Sequence, residues 1–320
     1  MIQGGFLMRS KPSGEPASKK AKKPGALRRY GSLYLMAAPG LLFFLVLCYI
    51  PMLFLIVAFQ NYQVGKGVFG SEFVGLQNFV GLFTDRMFPM VLKNTIGLNL
   101  MKIVLTFPMP IILALCFNEL RPTPMKKLCQ TAVYLPHFFS WVIVASMLSS
   151  LLNVNTGLVN NLITALGGSP VAFLDSKSFY KLLLTITEIW KEAGWSSIIY
   201  IAALTAINTE LYEAASIDGA GKWRHIWHIS LPGIRSTIII MLILSFGGII
   251  SGSFEQVFMT KNSAVYEVAE IIPTYVYTKG ITNMDISYGA TVGLFQSVIG
   301  FVLVVSTNWL SKRFGGEGLW

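Results

Sequence analysis

From Ser32 to Phe59 the chain carries no charged residue. A run of this kind constrains the fold more than any motif, because about 20 apolar residues in a helix cross the roughly 30 Å of hydrocarbon in a bilayer. In lipid the backbone has to satisfy its own hydrogen bonds, which favours helices. Five further segments repeat the pattern. Asn94 to Phe117 holds Lys102, Leu128 to Leu152 holds His137, and Leu182 to Ile207 holds Glu188, Lys191 and Glu192 in its first half. Ser236 to Phe258 is charge-free until Glu255, and Ile286 to Leu310 has no charge. Pro39 and Pro51 are expected to kink the first segment. Only 12% of the residues are charged and 53% are hydrophobic, about half the charge of a soluble domain. The expected fold is an all-α membrane protein with six transmembrane helices.

The net charge of +10 does not point to nucleic acid, because the basic residues flank apolar runs and are not interleaved with aromatics. They set orientation instead. If the amino-terminal tail is cytoplasmic, 16 of the 25 Lys and Arg fall on segments of that side and seven on the other connections, with Lys102 and Lys191 inside spans. The positive-inside rule then puts both termini in the cytoplasm. The expected organisation is a basic cytoplasmic tail over 1–31, a transmembrane domain over 32–310 with a cytoplasmic loop at 208–234, and a short cytoplasmic tail over 311–320. The first 29 residues lack the apolar core of a signal peptide. Cys48, Cys116 and Cys129 form no disulfide or zinc spacing and read as small apolar fillers.

Catalytic signatures are missing. There is no phosphate-cradling G-x-x-x-x-G-K-[ST], no H-E-x-x-H and no G-x-S-x-G. His225 and His228 lack a third ligand nearby in sequence, which argues against a metal site. The outside connections are too small for an enzyme domain. Gly248 with Gly252, and Gly289 with Gly293, have the spacing that lets helix backbones approach closely in lipid.

One polar stretch has a pattern of its own: Glu213 to Pro232, EAASIDGAGKWRHIWHISLP. Thr209 is the expected N-cap of a short helix, and Glu210 and Glu213 suit its positive end. The helix presents Leu211, Tyr212, Ala214 and Ala215, a small apolar surface of docking type. Gly219 turns the chain. A second helix, Lys222 to Leu231, places Trp223, Ile226, Trp227 and Ser230 on one stripe, and Pro232 ends it. The plainer alternative is a helical loop lying on the bilayer, with Trp223 and Trp227 as interfacial anchors.

Glu213-Ala214-Ala215, Gly219 four residues on, Ile229 and Leu231-Pro232 resemble the EAA motif of binding-protein-dependent ABC importer permeases. FVGLQNF after the first span, Lys93-Asn94-Thr95, Tyr134-Leu135-Pro136, and Trp190 with Gly194-Trp195 are similar to the carbohydrate branch of that family. The end, EGLW at 317–320, resembles permeases for oligosaccharides and polysaccharide fragments of the alginate and pectin type. The resemblance implies a type I ABC importer permease, multi-pass in a bacterial cell membrane and not itself an enzyme. It further implies a second permease subunit in a heterodimer, two cytoplasmic ATPase subunits holding ATP and Mg, and an extracytoplasmic solute-binding protein. This chain would bind no cofactor. Carried over, Glu213, Ala214, Ala215, Asp218, Gly219 and Pro232 belong to the coupling site. Glu213 would face a basic group of an ATPase, Ala214 and Ala215 would permit close approach, and Gly219 would make the turn.

Charges within spans are functional hypotheses. Glu188, Lys191 and Glu192, spaced i, i+3, i+4, share a helix face, with Trp190 and Trp195 nearby. By position this region resembles the sugar-contacting part of related permeases. Ser253, Glu255 and Gln256, with Ser251, resemble a second such part. Two readings stand: substrate pathway, or structural pairing. Lys102 either neutralises Glu192 or Glu255, or attracts an acidic sugar. The runner-up is a permease for another solute, such as a peptide, amino acid or anion. An ion-coupled secondary transporter would need broken helices or an inverted repeat, and no internal repeat is present.

Overall fold

The structure, a computed structural model, describes residues 30–121, 123–313 and 318. The basic tail through Arg29 and, Gly318 apart, the carboxyl end with its EGLW resemblance lie outside the described residues. The chain divides into two compact units, Met1–Phe54 and Leu55–Trp320. In the first, α1 (Gly31–Phe44) contains Pro39 and passes through a π-turn, Leu45–Tyr49, into the short helix Ile50–Leu53. The π-turn lies just ahead of Pro51, whose missing N–H and bulky ring disturb the regular helical ladder. The side chains of α1 are exposed, Leu35 and Met36 by 77% and 80%, as suits a helix whose solvent is lipid.

The second unit opens with a two-stranded antiparallel ladder, β1 (Gln60–Asn61) on β2 (Glu72–Phe73). Asn78, in α2 (Gln77–Thr84), braces it by donating to the carbonyls of Ala58 and Gln60, both at 2.9 Å. Next, α3 (Phe88–Thr106) and α4 (Pro108–Glu119) form one continuous apolar run, which contains the expected second span. The expected third span is not a single helix. It consists of α5 (Pro124–Tyr134), a 3-10 turn at Leu135–Phe138, and α6 (Trp141–Leu151), bent by 99° at the join. Pro136 sits in the turn, and Ser140 starts α6 as an N-cap, accepting from the Ile143 amide. Both residue types favour ending one helix and beginning another.

The loop that follows holds α7 (Leu158–Ala165). Buried Asn160 fastens it, donating to the carbonyls of Leu152, Asn153 and Val171 and accepting from the Val171 amide at 2.7 Å. The 26-residue α8 (Tyr180–Thr205) packs against α3, α4 and α5. At its crossing with α5, a Cβ on Gly194 would collide with the Val133 carbonyl. Only glycine lets the two backbones come this close.

The polar loop forms α9 (Thr209–Ile217) and α10 (Lys222–Gly233), and α10 meets α11 (Arg235–Gly247) at a 61° bend. The expected fifth span breaks at 248–253, then resumes as α12 (Phe254–Thr260). Ser253 takes the left-handed conformation there, with φ 72°, which is uncommon for a residue with a side chain. A short helix, α13 (Ile272–Val276), precedes the last and longest, α14 (Ile286–Arg313). Gly248 and Gly252 therefore lie in the break, not on a packing seam. Close packing of α11 on α14 falls to their neighbours: a Cβ on Gly247 would strike Val304, and one on Gly300 would stand 3.2 Å from the Gly247 carbonyl. Gly289 does pack closely, its partner being Gly280, while a Cβ on Gly293 would meet open space.

Among the described residues, Gly31–Phe59, Phe88–Glu119 and Ile286–Arg313 are long and apolar enough to cross a membrane, and the number is five when each bent pair is counted as one span. The expected fourth span corresponds to α8, whose interior carries Glu188, Lys191 and Glu192.

Asp85 ties three segments together. Its carboxylate accepts from Tyr275 at 2.6 Å, Tyr288 at 3.2 Å and the Met87 amide at 2.9 Å. Burial opposes its ionisation, but the hydrogen bonds from Tyr275, Met87 and Tyr288, with the charge of Lys279, hold it below the usual carboxylate range. A depressed native pKa stabilises the fold above the unfolded value of about 3.9, and that stabilisation is lost as pH falls through the native value.

Two outcomes follow from this packing. Gly194→Val should cost at least the 1–3 kcal/mol typical of overpacking, seen as a lower melting temperature of the purified protein in detergent. Asp85→Asn should melt below wild type at pH 7, with the gap narrowing progressively as melts are taken further below about pH 3.9.

Candidate substrate cavity and coupling loop

Segments far apart in sequence converge on one ammonium. Lys102, on α3, is 4% exposed. Its Nζ pairs with Glu188 of α8 and donates to Ser253 Oγ at 2.6 Å and Gln256 Oε1 at 2.5 Å. A lysine has three N–H donors, and each has an acceptor here. The acceptors are themselves held: Gln256 Nε2 donates to the Leu184 carbonyl at 2.8 Å, Ser253 Oγ donates to Asn99 Oδ1 at 3.0 Å, and Asn99 Nδ2 donates to the Ile249 carbonyl at 2.8 Å. The network joins α3, α8, the 248–253 break and α12.

A cavity of about 300 Å³ adjoins this network. Glu188, Ser196, Tyr200, Ser245 and Ser253 line it with Lys102 on one part of the wall, while Ile103, Phe107, Met241 and Leu244 make the larger part apolar; its one ion pair is internally balanced. Thr106 also lines the cavity, but its hydroxyl is buried and has no hydrogen-bond partner among the described residues. A mainly apolar wall with a few hydroxyls offers a polyhydroxylated ligand both apolar contact for its C–H faces and hydrogen-bond partners, without desolvating a free charge.

The expected single face of Glu188, Lys191 and Glu192 divides. Glu188 turns to Lys102, so Lys102 neutralises Glu188 and not Glu192 or Glu255. Lys191 and Glu192 turn to the bend of the third segment. Glu192 accepts from Lys191 at 2.7 Å and contacts His137 Nδ1 at 2.7 Å, while Lys191 Nζ also donates to the His137 carbonyl at 2.9 Å and lies 5.3 Å over the Trp141 ring. The His137 ring stacks on Trp195 at 4.5 Å. Trp190 is 44% exposed and Glu255 is exposed, and neither lines the cavity. Asn99, Ser196, Tyr200 and Ser245 were not singled out from sequence. Asn99, three residues before Lys102 on the same helix, carried the clearest signal.

The polar loop is built as a closed unit. Asn208, not the expected Thr209, caps α9, its Oδ1 accepting from the Glu210 amide at 3.0 Å. A side-chain oxygen one position earlier reaches the free first-turn amides equally well. Gly219 takes φ 77° and lets the Ala220 amide bond back to the Ala215 carbonyl at 2.8 Å, a closure that glycine alone makes without steric cost. Tyr212 then clamps the two helices, its hydroxyl 3.0 Å from Ser230 Oγ and its ring edge-on to His225. Ser230 is consequently buried, apart from the exposed Trp223 and Trp227 with which it was expected to share a stripe. Pro232 does not stop the second helix: α10 passes through a π-turn at Ile226–Ser230, includes Pro232 and ends at Gly233. Glu213, Ala214, Asp218 and Gly219 are exposed, Ala215 partly so. Leu211, Ile217, Trp223 and Trp227 surround them, 53–87% exposed.

A helical membrane chain with a cavity that has a buried ion pair at its edge, and with an exposed paired-helix loop, is the architecture of a transporter's membrane subunit. Residues 77–316 match the family described as binding-protein-dependent transport system inner membrane component, and the chain belongs to that family. It is 47% identical over 288 residues to the polygalacturonan/rhamnogalacturonan transport system permease protein YteP of Bacillus subtilis, covering 90% of each chain. It is 43% identical over 303 residues to protein LplB of the same organism, covering 95% of each. Among solved structures, it aligns with a chain of a bacterial alginate ABC transporter in complex with an alginate pentasaccharide-bound periplasmic protein. That match has a TM-score of 0.84 and 37% identity over 92% of this chain and 98% of the other. The family is one of membrane transport components and not of enzymes. Broken helices at the third and fifth segments do occur, so it is family membership that separates this chain from a secondary transporter.

Removing one member of a buried ion pair costs about 3 kcal/mol or more. Lys102→Met and Glu188→Gln should each lower the melting temperature in detergent, and Lys102→Met combined with Glu188→Leu should recover most of the loss.

Proposed function

We propose that this chain is the permease of an ATP-driven importer that moves acidic oligosaccharides, fragments of pectin- or alginate-like polysaccharides, across a bacterial cell membrane. The observation that carries this reading is similarity along nearly the whole chain to a permease named for polygalacturonan/rhamnogalacturonan and to a chain of an alginate ABC transporter. The hydroxyls of Ser196, Ser245 and Ser253 in the cavity wall add to it. Six spans with both termini in the cytoplasm complete the reading, with α8 as the fourth span, α5 and α6 sharing the third, and α11 with the 248–253 break forming the fifth.

In this reading the loop at 208–234 is the coupling element. Glu213, Ala214, Ala215, Asp218, Gly219 and Pro232 shape a small surface that seats on one of two cytoplasmic ATPase subunits, which hold ATP and Mg. A second permease completes a heterodimer, and an extracytoplasmic solute-binding protein delivers the sugar. ATP-driven closure of the ATPases moves the loop and converts the cavity from inward to outward access. Lys102 and Lys191 act as structural counter-ions, since Glu188 and Glu192 already neutralise them. The substrate meets hydroxyls at Ser196, Ser245, Ser253 and Tyr200, and selectivity for acidic sugars rests on the delivering protein and on residues outside these pairs.

The test is reconstitution of the chain with its partners in liposomes, followed by a screen of oligogalacturonides, rhamnogalacturonan fragments, alginate oligosaccharides and neutral maltooligosaccharides. Binding-protein-dependent ATPase stimulation and uptake by an acidic set is expected; stimulation by neutral sugars alone would overturn the substrate class. Gly219→Val places a β-branched residue at positive φ, a strain of about 1–3 kcal/mol. It should abolish sugar-stimulated uptake while leaving membrane insertion and assembly intact, as read by co-purification of the partners.

A further inference from the structure

The substrate cavity and the coupling loop leave one built feature unused. Where α11 and α14 lie side by side, at the start of α11 and the end of α14, they enclose a groove of about 290 Å³. Ile239, Leu242, Phe246 and Leu310 make its wall apolar, and Arg235, the first residue of α11, stands at one end with Ser311. Lys312 and Arg313 close the last turn of α14, and the Arg313 guanidinium lies 5.2 Å over the Trp309 ring. Among the described residues none of these three cations forms a salt bridge.

An apolar trough with the Arg235 guanidinium at its end complements an amphiphile with an acyl chain and an anionic head. Arg235 also marks the point where the chain turns from the polar loop into an apolar helix, the level at which headgroups lie. A basic pocket between transmembrane helices at that level attracts anionic lipid, and each cation near the surface contributes about 1 kcal/mol. A zwitterionic lipid carries its own cation beside the phosphate and gains less. We propose that the groove between α11 and α14 is a binding site for an anionic phospholipid, its acyl chain against Leu242 and Phe246 and its phosphate at Arg235. The site is independent of the transported sugar.

The transporter, purified with its partners in detergent and stripped of lipid, is titrated with phosphatidylglycerol or phosphatidylcholine, and bound lipids are counted by native mass spectrometry. Wild type should hold phosphatidylglycerol about fivefold more tightly, the effect of one cation near an anionic head. Arg235→Gln should remove that preference and keep the weaker binding of phosphatidylcholine, and Leu242→Trp, which fills the trough, should remove both. Equal affinity of wild type for the two lipids, or a preference that survives Arg235→Gln, overturns the proposal. So does a Leu242→Cys chain that cross-links to the second permease while wild type shows no lipid preference, since the groove is then a subunit interface. Should Leu242→Trp fail to assemble, brominated lipids decide. Quenching of the fluorescence that Trp309→Phe abolishes should be stronger with brominated phosphatidylglycerol than with brominated phosphatidylcholine, and equal quenching refutes the site. No readout requires transport, so a wrong sugar assignment leaves the test valid.

Discussion

A charge placed inside a bilayer has to bring its own solvent, and the structure depends on how Lys102 does so. Its ammonium receives a carboxylate, a hydroxyl and an amide oxygen from three different segments. Ions this far from water are costly unless every donor is met. Satisfying them draws α3, α8 and the interrupted fifth segment to one point and sets the edge of the cavity. The strained backbone of Ser253 has its reason here, since the left-handed turn aims the hydroxyl at Lys102 and Asn99.

The same rule organises the second cluster. Lys191, Glu192 and His137 satisfy one another across the sharp bend of the third segment, where Phe139 and Ser140 interrupt the helix. Both polar clusters thus sit at helix breaks, where free backbone groups and polar side chains serve each other. Irregular backbone at membrane depth is tolerated where protein or a cavity surrounds it.

Sequence made the apolar segments and the turn at Gly219 legible because each depends on local chemistry. A charge-free run crosses lipid whatever its neighbours, and Gly219 takes a positive φ because no other residue does so freely. The breaks were not legible, because hydropathy averages over a window and says nothing about where the helical ladder stops. Gly248 and Gly252 show the difficulty: the small residues that let helices touch also let a helix end. The partners of Glu188 and Glu192 were hidden for a related reason. Residues at i and i+4 are about 40° apart around a helix, enough at a crowded crossing for one to meet α3 and the other the 3-10 turn at Leu135–Phe138. Asn208 displaced Thr209 as cap because both can serve, and the choice depends on the exit of α8, which is tertiary.

The closed build of the α9–α10 loop has a mechanical consequence. Capped by Asn208, sealed at Gly219 and clamped by Tyr212 on Ser230, the loop has little internal give. Its base is also tight: a Cβ on Gly233 would collide with Ile207, so the two strands of chain that enter and leave the membrane nearly touch. A force applied to its tip would therefore not be absorbed by bending. It would arrive at the ends of α8 and α11 as a torque, and those two helices line the cavity at Tyr200 and Ser245.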